Sequence, residues 1–130
     1  MMARDYQPKK KNPYLMPKNV YNQTLWLIRD YDRMKEEYES MDLGSASLDG
    51  QPRGSSTSDP TARDTMKLLG LRDKIEAIDK ALRLIPEEYK KGIWENITLY
   101  KRYPIDAGVA TYARWKQKFI WRVAKNMYWI

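Results

Sequence analysis

From Leu68 to Ile85 the apolar residues Leu68, Leu71, Ile75, Ile78, Leu82 and Ile85 recur at alternating spacings of three and four. That repeat follows the turn of an α-helix and places all six on one narrow seam, so the segment needs a second helix to cover it. A partner lies upstream. Between Pro17 and Met41 the residues Val20, Leu27, Tyr31, Met34, Tyr38 and Met41 are spaced by three, four or seven. The outward side of that helix carries Asp30, Asp32, Glu36, Glu37 and Glu39 beside Arg29, Arg33 and Lys35, a solvated and ion-paired face. Asp30, Asp32 and Glu36 lack the further carboxylate that a two-metal site requires. The two seams predict an antiparallel helical hairpin over 17–85 as the first choice, with pairing between two chains, as a homodimer, the alternative.

The punctuation between helices is explicit. Ser40 to Asp59 is rich in Ser and Gly and poor in large apolar residues, which predicts an exposed loop over 40–59. Asp59 and Pro60 then supply an N-cap and a first-turn proline. Pro86 ends the second helix and opens a third, PEEYKKGIWENITLY, which buries Tyr89, Ile93, Trp94 and Ile97 and has Glu87 and Glu88 at the positive end of its dipole. After Lys101 and Arg102, Pro104 and Gly108 impose a turn, and Thr111 is read as the N-cap of a last helix. No segment needs a strand. The expected fold is all-α with four helices, in one domain, with residues 1–16 as a flexible basic arm and 86–130 as a helix-turn-helix-like pair.

The last helix, Thr111 to about Tyr128, holds five basic residues and no acidic one. At about 100° per residue, Trp115, Phe119 and Val123 stack on one side with Tyr112, Ile120 and Met127 nearby, while Arg114, Gln117, Lys118, Trp121, Arg122 and Lys125 share the opposite arc. Such a front has the groups that neutralise phosphates and read base edges in a major groove. Arg114, Gln117 and Lys118, in the N-terminal half, are the base-edge candidates. Lys101, Arg102, Thr111, Tyr112, Arg122 and Lys125 are the phosphate candidates. Trp121 suits packing on another helix or stacking on a sugar or base. Trp26, Trp94 and Trp115 are read as core, and Met127 to Ile130 as folding back on the body.

The charge balance agrees with a polyanionic partner: 24 Lys plus Arg against 17 Asp plus Glu give a net charge of +7 and a pI near 9.5. Lys9, Lys10 and Lys11, with Arg4 and Lys18, form a second basic patch among prolines. Cysteine and histidine are both absent, which removes disulfides, thiolate nucleophiles, Cys/His zinc sets and the commonest general base. No metal or cofactor site is expected, and a non-catalytic binding protein is. No apolar run approaches the length of a membrane span, so a soluble, cytoplasmic chain without a membrane partner is expected.

Five strings in order resemble one family. VYNQTLWLIRDY at 20–31, DGQPRGSSTSDPTA at 49–62, KIEAIDKAL at 74–82, IPEEYKKGIWENI at 85–97 and TYARWKQKFIWRVAKNM at 111–127 are similar to the RinA-type phage transcriptional regulators, akin to the ArpU-like regulators of Gram-positive phages and prophages. The resemblance implies a phage-encoded activator of late genes that binds double-stranded promoter DNA and recruits host RNA polymerase. Its C-terminal part would be sigma region 4-like, opening at Ile85 to Tyr89 and reading DNA with Thr111 to Met127. A sigma-type segment places a full helix before the turn, whereas Tyr103 to Ala107 leave room for about one turn. Two other classes fit the residues: a DNA-recognition packaging protein like a terminase small subunit, and a helical adaptor that binds protein.

Overall fold

The computed structural model describes residues 7–9, 11–47 and 62–130, and among these it has five α-helices and no strand. They are α1 (Lys18–Arg29), α2 (Tyr31–Ser47), α3 (Ala62–Arg83), α4 (Glu87–Leu99) and α5 (Val109–Asn126). The described residues are all-α, with one helix more than the spacing predicts. The extra helix arises because the expected helix over 17–41 breaks at Asp30, where φ is −93° and ψ is 4°. Upstream the buried residues are Tyr21, Thr24, Leu25 and Ile28. Downstream they are Met34, with Tyr31, Tyr38 and Met41 partly covered. These two seams point roughly a quarter turn apart at about 100° per residue, so no straight helix satisfies both. Asp30 joins them: its N–H donates to the Trp26 and Leu27 carbonyls, and its own carbonyl accepts from Met34 N–H at 3.0 Å. The Arg33 guanidinium clamps the Asp30 carboxylate at 2.6 and 2.7 Å and holds its pKa below the ordinary carboxylate value.

α2 continues past Ser40 to Ser47, since Met41, Asp42 and Leu43 are no helix breakers and one interior glycine costs only about 1 kcal/mol. The remainder of the expected loop and the Asp59–Pro60 helix start lie outside the described residues. α2 and α3 run antiparallel. Tyr31, at the start of α2, donates to Asp79 Oδ1 late in α3 at 2.7 Å, and Glu37, further along α2, meets Lys67 earlier in α3 at 2.8 Å. Leu71, Ile75, Ile78 and Ile85 of the α3 seam are buried, with Leu82 partly so.

α5 lies at the centre, packed on α1, α3 and α4. Its residues Tyr112, Phe119, Ile120, Val123 and Ala124 meet Leu25 and Ile28 of α1, Ile93 and Ile97 of α4, and Ile78 and Ala81 of α3 in one core. Near its end the Asn126 amide donates to the Ala77 carbonyl at 3.0 Å. A Schellman cap closes it: Tyr128, at φ 62°, donates to Lys125, and Trp129 N–H to the Ala124 carbonyl. Trp129 folds back against the core, as the sequence suggests, whereas Tyr128 is 92% exposed. Trp26, expected in the core, is also exposed, because it sits on the face of α1 opposite Tyr21, Leu25 and Ile28.

Two tyrosines tie the bundle. Burial, reinforced by the hydrogen bond to Asp79, raises the Tyr31 phenol above its ordinary value. The hydrogen bond to Asp106 raises Tyr112 to about 12. For a phenol whose folded pKa is raised, the stabilisation is complete below the unfolded value, about 10, and is lost as pH rises through the folded value. Thermal melts across that alkaline range should therefore show wild type losing stability more steeply than a Tyr31→Phe/Tyr112→Phe variant. Parallel profiles for the two would contradict this assignment.

Candidate nucleic-acid interface

The connection from α4 to α5 spans residues 100–108 and is tied down along its length. Tyr100 ends α4 in the left-handed region, at φ 59°, with its N–H on the Glu95 carbonyl. The Asn96 amide donates to the Lys101 carbonyl at 2.8 Å. Tyr103 stacks on Tyr112, with ring centroids 5.1 Å apart, while Tyr89 meets the edge of the same ring. α5 begins at Val109 with extended Gly108 as its N-cap, so Thr111 is in the first turn and not at the cap. The Gly108 carbonyl takes Thr111 and Tyr112 N–H, and no side-chain oxygen caps the helix.

This connection also decides Tyr112. The side chain is fully buried and its hydroxyl donates to Asp106 Oδ1 at 2.7 Å, so it is not presented to a phosphate. Its position one turn before Lys116, on the side of Phe119 and Val123, sends it inward. Gln117 is likewise withdrawn. It is 5% exposed, and its amide donates to Tyr14 O and Gln7 Oε1, both at 3.2 Å. Lys116, one of the five basic residues of the helix, is buried with Nζ on Asn96 Oδ1 at 2.7 Å.

The cover over Gln117 is the N-terminal segment. Gln7 brackets Met16 by two hydrogen bonds, donating to its carbonyl at 2.9 Å and accepting from its N–H at 2.8 Å. Met16 is in the core. Tyr14 sets its ring edge-on to Trp121 at 5.1 Å, and Lys118 Nζ lies 5.8 Å from the Tyr14 ring and 5.1 Å from Trp115. The expected arm thus touches α5 through Gln7 and Tyr14 and enters the core through Met16. Lys9 and Lys11 stay exposed on it, while Arg4 and Lys10 lie outside the described residues. Trp121 packs on Tyr14, which belongs to the N-terminal segment and not to another helix.

What remains open on α5 is a stripe of four cations. Arg114 and Lys125 are exposed and Lys118 and Arg122 half-exposed, all within an arc of roughly 80°. Trp115 and Trp121 flank them, and Lys125 Nζ lies 5.4 Å from the Trp121 ring. Elsewhere Arg33, Lys67, Arg72, Lys90 and Lys101 each pair with a carboxylate. Among the described residues no carboxylate pairs with Arg114, Lys118, Arg122 or Lys125. A line of like charges kept unpaired on one face projects a positive potential towards a polyanion. Lys101, held by Glu95 at 3.6 Å, contributes less than exposed Arg102.

Among the described residues no cluster of three or more carboxylates is placed to hold a metal ion, and no helix is long and apolar enough to cross a membrane. No family model matches the chain, and neither a curated protein nor a solved structure does.

Proposed function

We propose that the chain is a sequence-specific DNA-binding transcriptional activator of the phage late-gene type, a non-catalytic protein that holds promoter DNA on the α5 stripe and recruits host RNA polymerase. The observation that carries the reading is the line of four unpaired cations. From Arg114 to Lys125 the stripe extends roughly 16 Å at about 1.5 Å per residue, somewhat more than the roughly 12 Å width of a major groove. The stripe is therefore long enough for its N-terminal half to face base edges while its C-terminal half reaches the phosphates of one groove wall. Arg114 and Lys118 keep the base-edge role, and Arg122 and Lys125 bind phosphate. Gln117 and Tyr112 take no part, being committed to Tyr14, Gln7 and Asp106.

Mobility shifts with phage promoter fragments test the reading. Arg114→Ala should cost about 1–3 kcal/mol on the preferred sequence and relax sequence choice. Lys125→Ala should weaken every sequence alike and flatten the salt dependence by about one unit of slope. Equal affinity for unrelated duplexes at physiological salt would contradict the sequence-specific reading.

A further inference from the structure

Trp26 projects from α1 and is 68% exposed. The Arg29 guanidinium sits between two rings, 6.0 Å from Trp26 and 4.6 Å from Tyr100, and its Nε donates to the Ile97 carbonyl at 2.8 Å. A planar cation fixed by a backbone carbonyl holds both rings ready, which lowers the entropy lost when they are covered. Tyr100 stands at a left-handed position that usually falls to glycine. The chain thus keeps a large, half-exposed aromatic where backbone geometry disfavours one. Exposed Leu99 adjoins it.

Trp, Tyr and Arg are the side chains that dominate the energetics of protein interfaces. Charge narrows the partner. Neither α1 nor residues 98–104 contain a carboxylate, and the nearby Asp30 and Glu95 are paired with Arg33 and Lys101. Arg102 is exposed at the edge. A nucleic-acid backbone needs a row of cations, and this patch has none comparable with that on α5.

We propose that Trp26, Arg29, Leu99 and Tyr100 form a docking surface for a partner-protein segment with apolar anchors flanked by acidic residues. The anchors cover the two rings and Leu99, and the carboxylates meet the positive rim at Arg102. The surface stands whether or not α5 binds DNA.

A random displayed peptide library, selected on the wild-type chain with counter-selection on Trp26→Ser, tests this directly, because Trp26→Ser keeps the net charge. Surviving peptides should combine Leu, Phe or Trp with Asp or Glu, and should bind Tyr100→Gly at least about tenfold more weakly. Tyr100→Gly relieves the left-handed strain, so its circular dichroism should match wild type and separate lost docking from lost fold. Survivors without an acidic excess, equal binding to Tyr100→Gly, or no survivors would overturn the proposal. So would a Trp26 indole signal that moves with protein concentration alone, indicating a second copy, or with a single-stranded oligonucleotide, indicating nucleic acid.

Discussion

Gly92→Ala should destabilise the protein by about 2 kcal/mol, although an alanine in a helix interior ordinarily stabilises. The reason is local. A Cβ at Gly92 would lie 2.7 Å from Pro104 Cδ and 2.8 Å from Tyr112 Cε1. Neither neighbour is a free end: Pro104 belongs to the connection, and the Tyr112 ring is held by Tyr103, Tyr89 and Asp106. The methyl therefore has to move the connection away from α4 or tilt α5. Gly70 of α3 supplies the control, since a Cβ there meets nothing within 4 Å. Gly70→Ala should stabilise by roughly 0.5–1 kcal/mol through helix propensity and a stiffer unfolded chain. Thermal melts should show the two alanines shifting the midpoint in opposite directions, Gly92→Ala downward by roughly 6 °C. A midpoint for Gly92→Ala at or above wild type would show that this contact is not tight.

Neutralising the α5 stripe should have the larger functional effect. In a variant with Arg114, Lys118, Arg122 and Lys125 all changed to Gln, the two phosphate contacts of Arg122 and Lys125 disappear together with the base-edge contacts of Arg114 and Lys118. The slope of log affinity against log salt should then flatten by about 2, and affinity at low salt should fall on the order of a thousandfold. The fold should hold, because none of the four is in the core or paired with a described carboxylate. Anisotropy titrations with duplex DNA between roughly 50 and 200 mM salt measure both quantities. An unchanged slope would place DNA binding, if present, on another face. Lys116→Gln belongs to a different class: it removes the buried ammonium on Asn96, and its effect should appear in the melting temperature and not in the salt slope.

The strongest signals in the sequence were those made within one element. The α3 seam was legible because each spacing of three or four is a contact with the same neighbour, and Ile75 and Ile78 are buried as that pattern requires. The Pro86 boundary was legible because proline restricts its own backbone. The break at Asp30 was not, because Val20 and Leu27 prolong the α2 seam backwards and conceal the separate seam of Tyr21, Leu25 and Ile28. Trp26 misled for a related reason, since size suggests burial while its helical position faces solvent.

On α5 the apolar back was readable and the polar front only partly so. Arg114, Lys118, Arg122 and Lys125 remain open, whereas Gln117 is covered by Gln7 and Tyr14, more than 100 positions away in the chain. No local pattern encodes such a contact, although an aromatic between Pro13 and Pro17 was a hint that Tyr14 anchors the segment. Lys116 was inseparable from its neighbours by charge alone. Its helical position beside Tyr112 and Val123 was the available signal.

The five tryptophans report the binding face directly. In a proton–nitrogen spectrum of the full chain titrated with duplex promoter DNA, the indole signals of Trp115 and Trp121 should move first and saturate together, while those of Trp26 and Trp94 stay in place. Movement of Trp26 with Trp115 and Trp121 unmoved would contradict the assignment of α5 as the nucleic-acid face.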